Sequence, residues 1–243
     1  MLWIYDGSFE GFLTALHRSY MHKCIPDVLT SDRSNIDLLS ESVTINTDLD
    51  IAKRVSQGIA KNLPKKLIER IYHVFLCDDV ARERELLLFI RMGLKDVSLL
   101  YDLSNPVVFA IESYQKRLYS TIHKMQEFLR FEMLEDGMLY AKIAPPRNVL
   151  PFLGRHFVKR LRNERFIIHD IRRGWIVVYD GKDLQMHEVL NASVPALHET
   201  EHHFQELWQT FFDSVTIESR KNYKAQRNFV PLIYRELMTE FKQ

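Results

Sequence analysis

Cysteine is scarce in this sequence, and its scarcity excludes several classes of protein. Cys24 and Cys77 are the two cysteines among 243 residues. They are too few and too far apart for an iron–sulfur cluster or a cysteine-based zinc site, and too few for a disulfide framework. We therefore expect a reducing, cytoplasmic location, and we predict no cofactor from the sequence.

Long apolar runs are missing as well, and so is an excess of one charge. No window approaches the roughly 20 apolar residues of a membrane-spanning helix, and the first residues lack a basic leader followed by an apolar segment. We expect a protein that is neither exported nor membrane-embedded. Lys and Arg number 33 against 32 Asp and Glu, so any nucleic-acid surface must come from local clusters of cations.

The sequence does contain enough apolar material for a sizeable core, because 46% of its residues are hydrophobic. Up to residue 120 the apolar spacing is mainly helical, with Ser8 and Pro64 as helix starts. From residue 121 to 180 the pattern predicts two hairpins joined by one helix. The predicted fold class is α+β: a mainly helical N-terminal part (1–120), and a C-terminal part (121–243) with an antiparallel sheet of four or five strands flanked by helices.

The first predicted hairpin carries the first indication of function. Alternation places Leu129, Phe131 and Met133 on one face of a strand, which turns near Gly137 into a second strand. The opposite face carries rings and cations: Phe128, Arg130, Tyr140 and Lys142. Aromatic and Arg side chains together suit stacking on bases beside a phosphate backbone.

Two basic clusters strengthen this indication. One lies on and after the predicted central helix, and the other lies near the end of the sequence: Lys159, Arg160, Arg162 and Arg165, then Arg220, Lys221, Lys224 and Arg227. Each cluster can hold phosphates, although a solvated helix face explains either one alone. Asn222 and Gln226 have the i, i+4 spacing of two amides that face one ligand, or they cap and bridge neighbouring elements.

Several titratable residues are candidates for catalysis or metal binding. His123 and His156 lie at the edges of apolar stripes and can titrate near neutrality. Each is either a core or interfacial histidine or a general base, with Asp136 or Asp170 as its orienting group. His198 and His202 have the i, i+4 spacing of metal ligands. The surrounding glutamates do not match a zinc-protease motif, so a solvated polar first turn of a helix is the alternative.

Several motifs in the same order resemble a bacterial family of proteins linked to DNA metabolism. They span nearly the whole chain: YDGSFEGFL at 5–13, HKMQEFLRF at 123–131, DGMLYAKIAP at 136–145, NVLPFLGRHFVKR at 148–160 and RKNYKAQRNFVP at 220–231. Members of that family contain a domain of unknown function over roughly the C-terminal two thirds. The domain is elsewhere fused to a uracil-DNA-glycosylase-like domain, and members are typically paired with a radical S-adenosylmethionine protein associated with DNA repair or modification.

The resemblance implies a DNA-related context but supplies no catalytic residues. The positions that match the family motifs fall in three groups: Asp6, Gly7 and Phe9; His123, Arg130, Tyr140, His156 and Phe157; Arg220, Asn222, Gln226 and Pro231. This sequence departs from the family after Pro231, where Leu232, Ile233, Tyr234 and Arg235 replace the usual Arg-Tyr-aromatic group. That departure leaves the role of Arg235 open.

Three functional hypotheses follow. The leading hypothesis is an accessory protein of DNA repair or DNA modification that binds nucleic acid and acts with a radical S-adenosylmethionine partner, which would bring the cluster that this chain lacks. The second is an enzyme that processes a flipped base or nucleotide with a His/Asp site. The third is a protein-interaction scaffold whose exposed aromatic residues serve a partner without nucleic-acid binding.

Overall fold

The computed structural model describes residues 1–31, 42–79, 81–189 and 196–241. The chain divides into two compact units, Met1–Tyr119 and Ser120–Gln243. The first unit is mainly helical with one small sheet, and the second is built on a five-stranded sheet flanked by helices. The α+β fold class is therefore confirmed.

The first unit combines a short parallel sheet with four complete helices and the start of a fifth. Strands β1 (Leu2–Ile4), β2 (Val28–Thr30) and β3 (Ser42–Thr44) have the order β2-β1-β3, with both pairs parallel. The helices are α1 (Phe9–Met21), α2 (Leu49–Asn62), α3 (Lys65–Phe75), α4 (Arg82–Lys95) and α5 (Pro106–Phe128), of which α5 extends into the second unit. Pro64 directly precedes α3, because the fixed φ of proline favours the start of a helix.

The motif at residues 6–9 organises the turn between β1 and α1. Asp6 accepts hydrogen bonds from the Ser8 amide (2.9 Å), the Ser8 hydroxyl (2.6 Å) and the Thr47 hydroxyl (2.6 Å). Ser8 caps α1 by accepting from the Gly11 amide, which confirms the predicted start. Burial alone would raise the pKa of Asp6, but these hydrogen bonds outweigh it and lower the pKa.

Phe9, which follows this motif, anchors the start of α1 in an aromatic cluster. Its ring lies 5.0 Å from that of Phe75 and 6.0 Å from that of Tyr72, in edge-to-face geometry. Phe12 joins the cluster, with its ring 5.8 Å from Phe75. Asp6 and Phe9 therefore have structural roles that tie the first helix to β1 and to α3.

The sheet of the second unit contains β4 (Glu132–Met133), β5 (Leu139–Ile143), β6 (Phe166–Asp170), β7 (Trp175–Tyr179) and β8 (Leu184–Glu188), in that spatial order. Four or five strands were expected, and five are present. The expected antiparallel arrangement needs one correction, because β5 and β6 pair in parallel. Helix α6 (Leu150–Arg160) lies between them in sequence and returns the chain to the same end of the sheet, as a parallel pair requires.

The predicted first strand is also shorter than expected. Helix α5 continues to Phe128, so the strand begins at Glu132 rather than near Leu129. Three further helices complete the unit: α7 (Glu201–Ser214), α8 (Tyr223–Phe229) and α9 (Leu232–Arg235), followed by a 3₁₀ turn at Thr239–Phe241. Residues 190–195, between β8 and α7, lie outside the described residues.

The core of the second unit lies between α6 and one face of the sheet. Strand alternation puts Phe166 and Ile168 on that face, where both are fully buried. The ring of Phe157 on α6 lies 6.5 Å from that of Phe166. A Cβ atom at Gly154 would lie only 2.8 Å from a methyl group of Val177, so this glycine permits the close approach of α6 to β7.

Replacement of Gly154 tests this packing. We expect Gly154→Val to destabilise the protein by about 1–3 kcal/mol, because the added side chain overlaps Val177 and the neighbouring Leu184. The midpoint of urea unfolding measures the effect. Arg155→Val changes the next, exposed position of the same helix and serves as the control. Equal midpoints for the two variants would contradict the described contact.

Candidate nucleic-acid interface

An aromatic cavity of about 510 Å³ lies on the second unit where α7 approaches the end of α5. Three rings line it, those of Phe131, Phe204 and Trp208. The other lining residues are polar: Glu127, Arg130, Glu201, Gln205 and Thr239. Phe204 is 56% exposed and Trp208 is 41% exposed, so both rings remain accessible. The cavity thus combines flat apolar walls with hydrogen-bonding groups.

Arg130 shapes this cavity through an ion pair with Glu240. Its Nη2 lies 2.5 Å from Oε1 of Glu240 and its Nε lies 3.2 Å from Oε2, which is the bidentate geometry of an Arg–carboxylate pair. The Glu240 side chain is only 4% exposed. Trp208 donates its indole N–H to the same carboxylate at 3.2 Å. The terminal 3₁₀ turn is thereby joined to α7 and to the residue that follows α5.

The environment of Glu240 favours its charged form. Burial alone would raise the pKa of this carboxyl, but the hydrogen bond from Arg130 and those from its own backbone and from Trp208 outweigh burial. The pKa therefore lies below its ordinary value of 4.5. The carboxylate stays ionised at neutral pH and holds the Arg130 guanidinium in place.

A second buried carboxylate holds the start of α7 against β4. Glu201 accepts a hydrogen bond from the Met133 amide (2.8 Å) and another from the Gln205 side chain (3.0 Å). Gln205 also donates to Glu132 at 3.3 Å. These bonds fix the orientation of α7 and hence the positions of its exposed rings.

A cationic cavity of about 350 Å³ lies further along α7. Its lining includes three cationic side chains, Lys221, Arg227 and Arg235, and one acidic side chain, Asp213. The remaining lining residues supply two amides, two hydroxyls and apolar walls: Phe212, Thr216, Asn222, Tyr223, Gln226, Leu232 and Phe241. Between residues 219 and 235 there are five Lys and Arg and no Asp or Glu. The positive potential that the sequence lacks overall is concentrated here.

Arg235 is held within this cavity by neighbouring groups. Its Nε donates to the Val230 carbonyl at 3.0 Å, and its guanidinium lies 4.6 Å from the centre of the Phe241 ring. Its Nη2 is buried and has no hydrogen-bond acceptor among the described residues. Arg235 therefore has one N–H donor group that no described acceptor uses.

Of the predicted amide pair Asn222 and Gln226, the first caps a helix. Asn222 is the N-cap of α8, and its side-chain oxygen accepts from the Ala225 amide at 2.9 Å. Both Asn222 and Gln226 nevertheless line the cationic cavity together with Arg227. The structure thus brings together four of the residues predicted at 220–227, namely Lys221, Asn222, Gln226 and Arg227, while Arg220 and Lys224 are exposed outside the cavity lining.

The ring-and-cation face predicted for the first hairpin is largely buried. Phe128 is 9% exposed and packs against Tyr234, with ring centres 5.6 Å apart. Tyr140 is 3% exposed and shares a hydrogen bond of 2.8 Å with Nδ1 of the buried His169. Lys142 is half-buried, 5.8 Å from the Tyr140 ring. Burial of the two rings removes them from any stacking surface in the described conformation.

The remaining predicted cations lie on another element. Lys159 and Arg160 are exposed at the C-terminal end of α6, which packs on β6, β7 and β8. Arg165 instead donates to the Asp136 carbonyl at 2.9 Å. The structure therefore leaves Lys159 and Arg160 available at the surface, on an element separate from α7 and α8.

The four catalytic candidates are dispersed. Asp170 is fully buried and pairs with Arg173 at 2.7 Å, and Asp136 lies in an exposed turn. His123 is exposed on α5, whereas His156 is half-buried on α6. Within the described residues, neither histidine forms a hydrogen bond or ion pair with either aspartate. None of the four lines the aromatic or the cationic cavity.

His156 is nevertheless electrostatically unusual. Burial, followed by the charges of Arg160 and Lys159, lowers its pKa below the ordinary value of 6.5. Its Nε2 is buried and finds no hydrogen-bond partner in the described part of the chain. The ring stands edge-on to Phe157 at 5.0 Å. This environment favours a neutral imidazole at neutral pH.

His198 and His202, the pair predicted as metal ligands, lie near the start of α7 and have different surroundings. His198 precedes the helix and contacts the Thr200 hydroxyl at 2.8 Å, whereas His202 lies 3.2 Å from Glu206 within the helix. Across residues 1–31, 42–79, 81–189 and 196–241, no group of three or more His, Cys, Asp or Glu side chains has the arrangement of a metal site.

Sequence reasoning missed most residues of the two cavities. The rings of Phe204 and Trp208 have helical spacing and look like part of a buried stripe, yet both are exposed. The available signal was the number of large apolar residues between 204 and 233. Gln205 and Arg235 had no distinguishing local pattern.

The fold and the cavities define an α+β protein with a mixed five-stranded sheet and a helical C-terminal surface. The profile of DUF4130, a domain of unknown function, matches residues 81–240, which is about two thirds of the chain. The chain therefore belongs to the DUF4130 family. Comparisons with curated proteins and with solved structures give no match. Among the described helices, none combines the length and apolar character needed to cross a bilayer.

Replacement of Arg130 tests the ion pair that shapes the aromatic cavity. We expect Arg130→Met to lower the free energy of unfolding by about 3 kcal/mol, because it leaves the Glu240 carboxylate buried without its cation. The double variant Arg130→Met, Glu240→Leu removes both charges and should recover most of the loss. Urea unfolding at pH 7 measures both variants, and Arg155→Met is the control for loss of an exposed cation. An unchanged unfolding midpoint for Arg130→Met would contradict the buried pair.

The same pair predicts a pH dependence. Since the pKa of Glu240 is lower in the folded protein than its ordinary 4.5, the stabilisation is complete above that value and is lost as the pH falls through the folded pKa. Between pH 5 and pH 3 the wild type should therefore lose more stability than the double variant. Parallel curves of unfolding free energy against pH would show that Glu240 does not contribute in this way.

Proposed function

We propose that this protein is an accessory factor of DNA repair or DNA modification that binds single-stranded nucleic acid through α7, α8 and the terminal turn. One observation carries the proposal: the aromatic cavity and the cationic cavity lie along the same helix. Phe204 in the first and Phe212 in the second are eight residues apart on α7, which corresponds to about 12 Å.

The aromatic cavity supplies the groups that stack on bases. Single-strand binders place successive bases on aromatic side chains, and each stacked base contributes about 1–3 kcal/mol. Phe204 and Trp208 are accessible for this role, and Phe131 forms a third wall. Bases in a duplex are covered by their neighbours, so exposed rings of this kind favour a single strand or an extruded base.

The cationic cavity and its surroundings supply the groups that hold phosphates. Arg227 and Arg235 line the cavity, and Arg235 has a buried donor without an acceptor in the described structure. The neighbouring Arg220 and Lys224 are exposed and extend the positive surface beyond the cavity. Asn222 and Gln226 add amide groups that can bind phosphate or sugar oxygens. Arg130, which pairs with Glu240, acts in this proposal by shaping the site rather than by binding phosphate.

The process and the partner in this proposal come from the motif resemblance. The resembling proteins are paired with a radical S-adenosylmethionine protein, and the two cysteines of this chain are too few to hold such a cluster. We therefore assign the radical chemistry to the partner and nucleic-acid binding to this chain. Lys159 and Arg160 on α6 are retained as further phosphate contacts in the proposal.

A second candidate function is a protein-interaction scaffold, which the apolar surface of the C-terminal helices favours. Eight large aliphatic or aromatic side chains of this region, other than Phe204 and Trp208, are more than half exposed: Leu207, Phe211, Val215, Ile217, Tyr223, Phe229, Leu232 and Ile233. Apolar clusters of this kind mark surfaces that bind protein partners. Such a surface serves the accessory function as well, because the partner must dock beside the nucleic acid.

Fluorescence anisotropy with a labelled 20-nucleotide single strand, across a salt series, tests the proposal. We expect Phe204→Ala to weaken binding about tenfold with an unchanged salt slope, because stacking involves no counterion release. The pair Lys224→Ala, Arg227→Ala should lower the salt slope by about 1.4, or about 0.7 for each lost phosphate contact. Lys159→Ala, Arg160→Ala tests separately whether α6 participates.

Matched controls remove an exposed cation and an exposed ring outside the proposed surface. Lys182→Ala and Phe109→Ala should leave affinity and salt slope unchanged. Saturable binding that none of the α7 and α8 variants weakens would place the nucleic-acid surface elsewhere. An absence of binding by the wild type at low salt would overturn the proposal and leave the scaffold function.

A further inference from the structure

A separate cavity of about 640 Å³ lies in the first unit, between α1, α2 and α4. Its walls are mainly apolar, formed by Leu16 and Tyr20 of α1, Val55 and Ile59 of α2, and Leu94 of α4. This volume is within the range of small-molecule sites, which are typically apolar with a few polar groups that fix orientation. The cavity is not used by the proposed nucleic-acid interface, which belongs to the second unit.

The polar groups of this cavity are cationic or neutral. Arg91 and Lys95 line it together with His17 and Asn62, and the described lining contains no Asp or Glu. Arg91 lies 4.1 Å from the centre of the Tyr20 ring, and it donates to the Ser19 hydroxyl at 2.9 Å. No described carboxylate forms an ion pair with Arg91. The cavity therefore complements a ligand with an apolar body and a negative group.

Gly58 is an independent indication that the space is used. It lies inside α2, where glycine disfavours the helix relative to alanine. All eight glycines lie in the described residues, and four have positive φ. A Cβ atom on Gly11, Gly93 or Gly154 would lie within 2.8 Å of a neighbouring side chain, whereas one on Gly58 would meet nothing within 4 Å. Neither backbone conformation nor close packing accounts for a glycine at this position of the cavity wall.

We propose that this cavity binds a small organic anion with a flat apolar body, whose ring occupies the space above Gly58 and whose anionic group lies against Arg91 and Lys95. Tyr20, fixed by the Arg91 guanidinium, provides an aromatic wall for that body. The site goes beyond the proposed nucleic-acid function and does not depend on it. A carboxylate, sulfonate or phosphate satisfies the same two cations, so the class is defined by a single anionic group on an apolar ring.

Fluorescence titration with 8-anilinonaphthalene-1-sulfonate tests the site, because this probe has a flat apolar body and one sulfonate. We expect Gly58→Leu to weaken saturable binding by more than about tenfold, since its side chain fills the cavity. The variant should fold at least as well as the wild type, because leucine favours helix more than glycine does. Gln57→Leu adds the same side chain at the adjacent exposed position and should leave the affinity unchanged.

Two further comparisons test the anionic part of the proposal. Arg91→Gln should weaken the sulfonate probe about tenfold, whereas Arg91→Lys should largely retain binding. The uncharged analogue N-phenyl-1-naphthylamine should bind more weakly than the sulfonate to the wild type and should respond little to Arg91→Gln. Probe binding that Gly58→Leu leaves intact would overturn the site. Equal affinity for the two probes would overturn its preference for an anion.

Discussion

The pairing of Arg130 with Glu240 joins two parts of the second unit that are 110 positions apart in sequence. Because the carboxylate is buried, its separation from the guanidinium would leave its charge without a cation to balance it. Trp208 binds the same carboxylate, so the end of α5, the middle of α7 and the terminal turn meet at one group. Low dielectric strengthens such a network as long as every member is satisfied.

Both cavities of the second unit depend on that meeting point. Thr239, at the start of the terminal turn, lines the aromatic cavity, and Phe241, at its end, lines the cationic cavity. Phe241 in turn supports Arg235 through its ring and packs 5.9 Å from Phe212. The turn that this ion pair holds in place thus contributes a wall to each of the two cavities.

Much of the fold could be predicted from the sequence, because the buried face of a strand and the cap of a helix depend on residues close together in sequence. Alternation identifies the buried face of β6, and Ser8 identifies the start of α1 through its own hydroxyl. Strand direction is different, since parallel and antiparallel strands share the same two-residue period. The helix predicted between β5 and β6 was the available signal for a parallel pair, because such pairs require a long connection.

The candidate site was less predictable, because it depends on contacts between distant positions. The sequence predicts Arg130, beside aromatic residues, as a nucleic-acid contact, yet no local pattern shows that Glu240 neutralises Arg130. Phe128 and Phe204 also show that local sequence does not predict whether a ring is buried or exposed. Each lies at an apolar position of a helix, but tertiary packing buries the first against Tyr234 and leaves the second exposed.

The mixed sheet also has a consequence for the order in which the second unit folds. Strands β6, β7 and β8 are joined by short turns, so their pairing closes small loops at little entropic cost. The parallel pairing of Tyr140 with Ile167 closes a much longer loop that contains α6. The three-stranded meander can therefore assemble from local contacts, whereas the pairing of β5 with β6 costs more loop-closure entropy because α6 lies between them.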